Sequence, residues 1–163
     1  MDEPKAKQPQ AWFGVDDPEL KTPAHDALML WIDEYICEIL VGVLELAEEP
    51  EIVKKEWEEP ILNERGFVAG VPDLSVRIRH HPGTIEEEDR VILVEAKPKI
   101  RSLGELIRQI RICNATGDFS RYITRAARCG DYLRPKWLVI ASDDRFAKTI
   151  REQGILFHKS PKL

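Results

Sequence analysis

The chain has 163 residues, 43% of them apolar, and a formal net charge of −5. That is one domain's length with enough apolar side chains to bury a core, so a single compact domain is expected. No window approaches eighteen consecutive apolar residues, and the acidic, proline-bearing start Met1-Asp2-Glu3-Pro4 differs from a signal or transit peptide, so no membrane partner and a cytoplasmic location are expected. Cys37, Cys113 and Cys129 are odd in number and far apart, which excludes a C-x-x-C zinc pair and a four-cysteine iron–sulfur cluster and predicts reduced, mostly buried thiols.

The charge is unevenly spread. Residues 1–62 carry 16 acidic and 5 basic side chains, residues 63–163 carry 13 acidic and 19 basic. The second part has the sign that suits a polyanion, and the acidic first third has the sign that suits a partner protein or a second copy.

Residues 1–21, with three prolines and mixed charge, predict a mobile or loosely docked arm that Trp12 and Phe13 could pin, and 22–163 the domain proper. Thr22-Pro23 is a helix start, and the helix is expected to run to about 46. At about 100° per residue, Leu28, Ile32, Tyr35, Ile36, Ile39 and Val43 form one apolar stripe, with His25 on its side at the N-terminal end. Residues 52–62 read as a first strand, followed by a turn at Gly66 and Gly70. In the second strand Leu74, Val76 and Ile78 alternate with Asp73, Ser75, Arg77 and Arg79. Residues 80–90 form a polar loop and 91–97 a third strand.

Ser102 caps a second helix carrying Leu103, Leu106, Ile107 and Ile110, expected to end near 114–117. A helical stretch at 119–129, a strand at 137–140, a helix at 143–153 capped by Ser142 and a strand at 155–157 complete the chain. No internal repeat interrupts this order.

The chemistry concentrates in the second and third strands. Alternate residues of a strand share a face and each advances about 3.3 Å, so Glu95 and Lys97 point the same way and Ala96 faces the packed side. If the strand from Asp73 pairs with the strand ending at Lys97, two carboxylates and an ammonium converge on one patch. Two carboxylates offer hard oxygens to Mg²⁺ or Mn²⁺, and the ammonium can face a phosphate. Separately, Arg121, Arg125 and Arg128 are spaced four and three apart, and a helix there would align them with Arg108 and Arg111 of the preceding helix as a phosphate-tracking stripe.

Pro72-Asp73 and Glu95-Ala96-Lys97, on consecutive predicted strands with a helix after the lysine, resemble the PD-(D/E)xK nuclease superfamily over about residues 22–142. The resemblance implies an α/β fold with a restriction-endonuclease-like core, a mixed β-sheet flanked by helices in the order αβββαβ, followed here by a C-terminal αβ. It implies a Mg²⁺- or Mn²⁺-dependent deoxyribonuclease acting in DNA repair, recombination, replication or defence, or a silent or partner-dependent DNA-binding relative. Asp73, Glu95 and the main-chain carbonyl of Ala96 would hold the ion, and Lys97 would steady the attacking hydroxide and the charge growing on phosphorus.

The RecB-type branch adds a first-helix histidine ligand and a Q-x-x-x-Y motif, which fall on His25 and Gln109. Asp26, Glu34 and Glu38 are alternative first-helix ligands. Cys113 stands where that motif has tyrosine. The Gly70-Val71-Pro72-Asp73-Leu74 corner is equally similar to virus-type replication-repair nucleases and to Holliday-junction resolvases. In so small a chain, structure- or end-directed cleavage is more natural than base readout.

Overall fold

A computed structural model describes residues 22–163; the expected arm at 1–21, with Trp12 and Phe13, lies outside the described residues. Helix α1 (Pro23–Val43) starts as expected, with the Thr22 hydroxyl accepting a hydrogen bond from the His25 N–H at 3.2 Å. It buries His25, Leu28, Ile32, Ile36, Ile39 and Leu40. It stops three residues short of the expected end, and Glu45 just beyond adopts a left-handed φ of 53°.

The first predicted strand is two strands. β1 (Glu51–Trp57) joins the main sheet, whereas β2 (Ile61–Leu62) pairs with β3 (Val68–Gly70) as a separate ribbon. The break falls at Glu58, with φ 49°, and at Pro60, which lacks the N–H a ladder needs. Gly66 makes the ribbon's turn at φ 79°, whereas Gly70 closes β3 rather than turning.

β4 (Leu74–His80) and β5 (Glu88–Lys97) form an antiparallel pair longer than expected. The polar loop shrinks to 81–87 because His80 pairs with Glu88 and Arg79 with Asp89, the Arg79 guanidinium also giving Asp89 hydrogen bonds of 2.8 and 3.2 Å. β8 (Lys136–Ala141) and β9 (Leu156–Lys159) then add parallel to β5, giving a sheet in the order β1-β4-β5-β8-β9. Helices α2 (Leu103–Thr116) and α3 (Ala147–Glu152) are the crossovers parallel strands require. The fold is thus a mixed sheet flanked by helices, in the expected helix and strand order with two small ribbons inserted. Among the described residues no helix is long and apolar enough to cross a membrane.

β5 is apolar on both faces, as a strand covered on both sides must be. Val91 and Leu93 join the core beneath α2, and Ile92, Val94 and Ala96 the core beneath α1. Ile92 is fully buried, so Ile92→Val should cost about 0.5–1.5 kcal/mol of stability, read as a lower urea midpoint at unchanged slope.

α2 has the Ser102 cap, whose hydroxyl accepts from the Glu105 N–H at 3.3 Å. It ends at Gly117, where an added Cβ would lie 2.7 Å from the Cys113 carbonyl and 2.9 Å from Ile61 Cγ2. Cys113 is buried with its thiol pushed up to about 12 by burial, and Cys37 is partly buried; Cys129, against expectation, is exposed.

The stretch 119–129 is not a helix. A single 3₁₀ turn at Ser120–Tyr122 leads into β6 (Thr124–Arg125), which pairs with β7 (Tyr132–Leu133). α3 is shorter than 143–153 because the Ser142 hydroxyl donates to the Pro98 carbonyl at 2.7 Å instead of capping, while Asp143 accepts from the Arg145 N–H.

His158 on β9 stacks on Trp31 of α1, and burial lowers its pKa below the ordinary 6.5. His80 is shifted the same way. Both therefore favour folding above the unfolded-state pKa, and that contribution is lost as pH falls through the lower folded values. Glu95 and His25, whose pKa values are raised, pull the other way, so the urea midpoint of His158→Gln should rise relative to that of wild type as pH falls from 7.5 to 5.5.

Candidate active site

The β4–β5 register places Leu74 opposite Val94, which sets Asp73 beside Glu95 at the end of the sheet. Two bonds fix the corner there. The Asp73 main-chain carbonyl accepts from the Glu58 N–H at 3.1 Å, and its side-chain Oδ2 accepts from the Ala96 N–H at 2.6 Å. Asp73, Glu95 and Ala96 are all buried. Glu95 and Lys97 share the side of β5 that carries Val91 and Leu93, and Lys97 Nζ lies 3.0 Å from Glu95 Oε1.

His25 comes to this point from α1. Its Nε2 lies 3.3 Å from Asp73 Oδ1, an ion-pair contact outside hydrogen-bond geometry, while its Nδ1 is 4.0 Å from the exposed Asp26. The Asp73 carboxylate draws the His25 pKa upward against the opposite pull of burial. Glu34 and Glu38, the other first-helix alternatives, are exposed.

Glu95 sits in an unfavourable setting for its charge. Burial first, then the negative charge of Asp73, push its carboxyl up to about 7, with Lys97 pulling the other way. Its Oε2 is buried and has no hydrogen-bond partner. Two buried carboxylates side by side, one oxygen unpartnered, form a donor set that a hard divalent cation fits. Among the described residues no three His, Cys, Asp or Glu side chains are grouped as a metal cage. Mg²⁺ does not need one, because it keeps several waters and takes one or two carboxylates from the protein. Asp73 and Glu95 would be those two. Ala96 meets the site through its N–H, which holds Asp73 in place.

A cleft opens next to Lys97, bordered by Lys99, Arg101, Ser102, Glu105 and Gln109. Gln109 thus stands in the same cleft as Lys97, and its Nε2 donates to Glu105 Oε1 at 3.3 Å. Lys99 and Arg101 escaped the sequence reading. The signal was the K-x-K-x-R run that begins at Lys97 and continues past the strand end.

The five arginines do not form a stripe. Arg108 is held by Glu105 at 2.6 Å, and Arg111 reaches Gln153 beyond the end of α3. Arg121 contacts Glu59, the Pro60 carbonyl and the Tyr122 hydroxyl. Arg125 bonds the Gly130 carbonyl and lies over the Tyr132 ring, while Arg128 pairs with Glu86 at 2.9 Å. Without a helix at 119–129 the spacing of four and three no longer aligns them, and each points to its own partner.

No protein-family model and no curated protein matches the sequence. Among solved structures, the crystal structure of a repair endonuclease from Pyrococcus abyssi is similar at a TM-score of 0.44 and 16% identity. The match covers 88% of this chain and 48% of that one, so the chain spans about half the length of that enzyme.

Proposed function

We propose that this chain is a Mg²⁺- or Mn²⁺-dependent deoxyribonuclease with Asp73, Glu95 and Lys97 at its centre, a member of the PD-(D/E)xK superfamily. One observation carries the reading: two buried carboxylates and an ammonium meet at one sheet end, and Glu95 Oε2 is left unpartnered. A divalent ion bound there supplies a Lewis acid for the scissile phosphate and lowers the pKa of a water.

The chain's own residues do the rest. Asp73 and Glu95 present hard oxygens, with the Ala96 carbonyl as a third donor. His25 backs Asp73, its Nε2 3.3 Å from Oδ1. Lys97 places its ammonium where negative charge grows on phosphorus, and Glu95 at 3.0 Å orients that ammonium. Gln109, which borders the same cleft, orients Lys97 or a water. Lys99 and Arg101 draw the phosphate backbone to the cleft mouth.

A second reading, a nuclease-fold DNA-binding module without turnover, alone or beside a partner, is favoured by the 3.0 Å Lys97–Glu95 contact, which engages the ammonium and one carboxylate oxygen with each other. Incubating a mixed panel of duplex, flap, junction and single-stranded DNA in Mg²⁺, Mn²⁺ and EDTA separates the two. Cleavage in either metal and none in EDTA is the expected result. Binding without cleavage in every metal would favour the module, and equal cleavage in EDTA would end the metal-nuclease reading.

A further inference from the structure

We infer that a groove running along α2 away from the catalytic cleft holds a single-stranded stretch of nucleic acid, so that the preferred substrate carries an unpaired segment. The inference rests on the nuclease reading above and names its substrate class.

Gln109, Ile112 and Thr116 follow one another at i, i+3 and i+7, on one face of α2. Gln109 borders the Lys97 cleft. Ile112 and Thr116 border an apolar pocket of about 360 Å³ against Phe67 and Val68. Thr116 also borders a wider groove of about 1150 Å³ that reaches Arg65, Tyr132 and Arg134. Seven helical residues span about 10 Å, so the cleft and the two depressions lie in succession along one face of α2, from its catalytic end to its C-terminus.

Two rings border the depressions. Phe67 is 65% exposed and Tyr132 is 73% exposed, which leaves ring surface available for stacking. Cations accompany them. Arg125 sits 5.8 Å from the Tyr132 ring, Arg134 sits 5.7 Å from the Phe119 ring, and Arg65 makes no ion pair with a carboxylate among the described residues.

Two acids, Glu64 and Asp118, also border the groove, and Asp118 is engaged by the Ser120 N–H at 2.9 Å. Arg65 and Arg134 offset them and can meet the backbone of one strand, without the excess of cations that the two backbones of a duplex call for. Exposed rings beside these arginines suit unstacked bases, whose faces are hidden in a duplex and available in a single strand.

The test measures binding alone, in EDTA, so that it does not depend on turnover. Fluorescein-labelled oligo-dT and a blunt duplex of equal length are titrated with the wild-type chain, Phe67→Ala/Tyr132→Ala and Phe67→Trp. The double variant should bind oligo-dT at least tenfold more weakly with little change for duplex. Phe67→Trp should bind oligo-dT like wild type, with its added indole emission quenched by the stacked base. Unchanged oligo-dT affinity in a folded double variant would overturn the proposal, as would equal losses for both DNAs. A wild-type dimer that the double variant converts to monomer would also overturn it, assigning the rings to a contact between copies. Cleavage of duplex by a chain whose rings fail these tests would leave the nuclease reading standing while removing this groove from it.

Discussion

Lys97→Ala should slow DNA cleavage about a hundredfold or more while leaving metal affinity and most of the DNA affinity in place. The ammonium acts on charge present in the transition state and absent from the bound ground state, so its loss appears in turnover. The geometry adds a second consequence. Lys97 lies 3.0 Å from Glu95, whose carboxyl is raised to about 7 by burial and by Asp73 with Lys97 opposing. Removing the lysine raises Glu95 further, so without metal the variant should hold a proton at Glu95 to higher pH than wild type does. Calorimetry of Mn²⁺ binding together with single-turnover cleavage checks both parts. Wild-type single-turnover rates in the variant would show that the motif assignment is wrong.

Asp73 should behave differently, and the choice of substitution matters. Asp73→Asn keeps an amide oxygen able to accept from the Ala96 N–H but removes the charge. Metal binding and cleavage should fall together, by about a hundredfold or more if roughly 3 kcal/mol of ion binding is lost, with partial recovery in excess Mn²⁺. Asp73→Ala removes the acceptor as well and leaves a buried N–H unsatisfied, so it should also cost about 1–3 kcal/mol of folding stability. Urea midpoints measured beside Mn²⁺ titrations separate the two effects. Full metal affinity in Asp73→Asn would take Asp73 out of the ligand set.

The carboxylates and lysine were legible in the sequence because a strand has a rigid period of two. Once Leu74 faces Val94, Asp73 must stand beside Glu95, and no other packing detail is needed. The buried side of α1 was legible for the same kind of reason, and His25 came with it. The arginines were not. The sequence from Ser120 to Cys129 has helical spacing, but Glu88 accepts the Ala127 N–H at 3.0 Å and Ala126 donates to the Asp131 carbonyl. Those tertiary contacts hold the segment open as a ribbon, and local spacing cannot report them. The division of residues 52–62 was readable in principle from Pro60, whereas the left-handed turn at Glu58 carries no sequence signature.

The bond from the Ala96 N–H to Asp73 also bears on how the site comes apart. The spacing of the two carboxylates is tied to main chain in adjacent central strands, whereas His25 rides on the first turn of a helix. Helix ends open at far lower free energy than the middle of a sheet. Brief fraying of α1 would lift the histidine away while the carboxylate pair stays assembled, so the site should lose its parts in a fixed sequence, backing residue first and acidic pair only with the collapse of the sheet itself. Amide exchange would then be fast at the start of α1 and close to the global limit at Ala96.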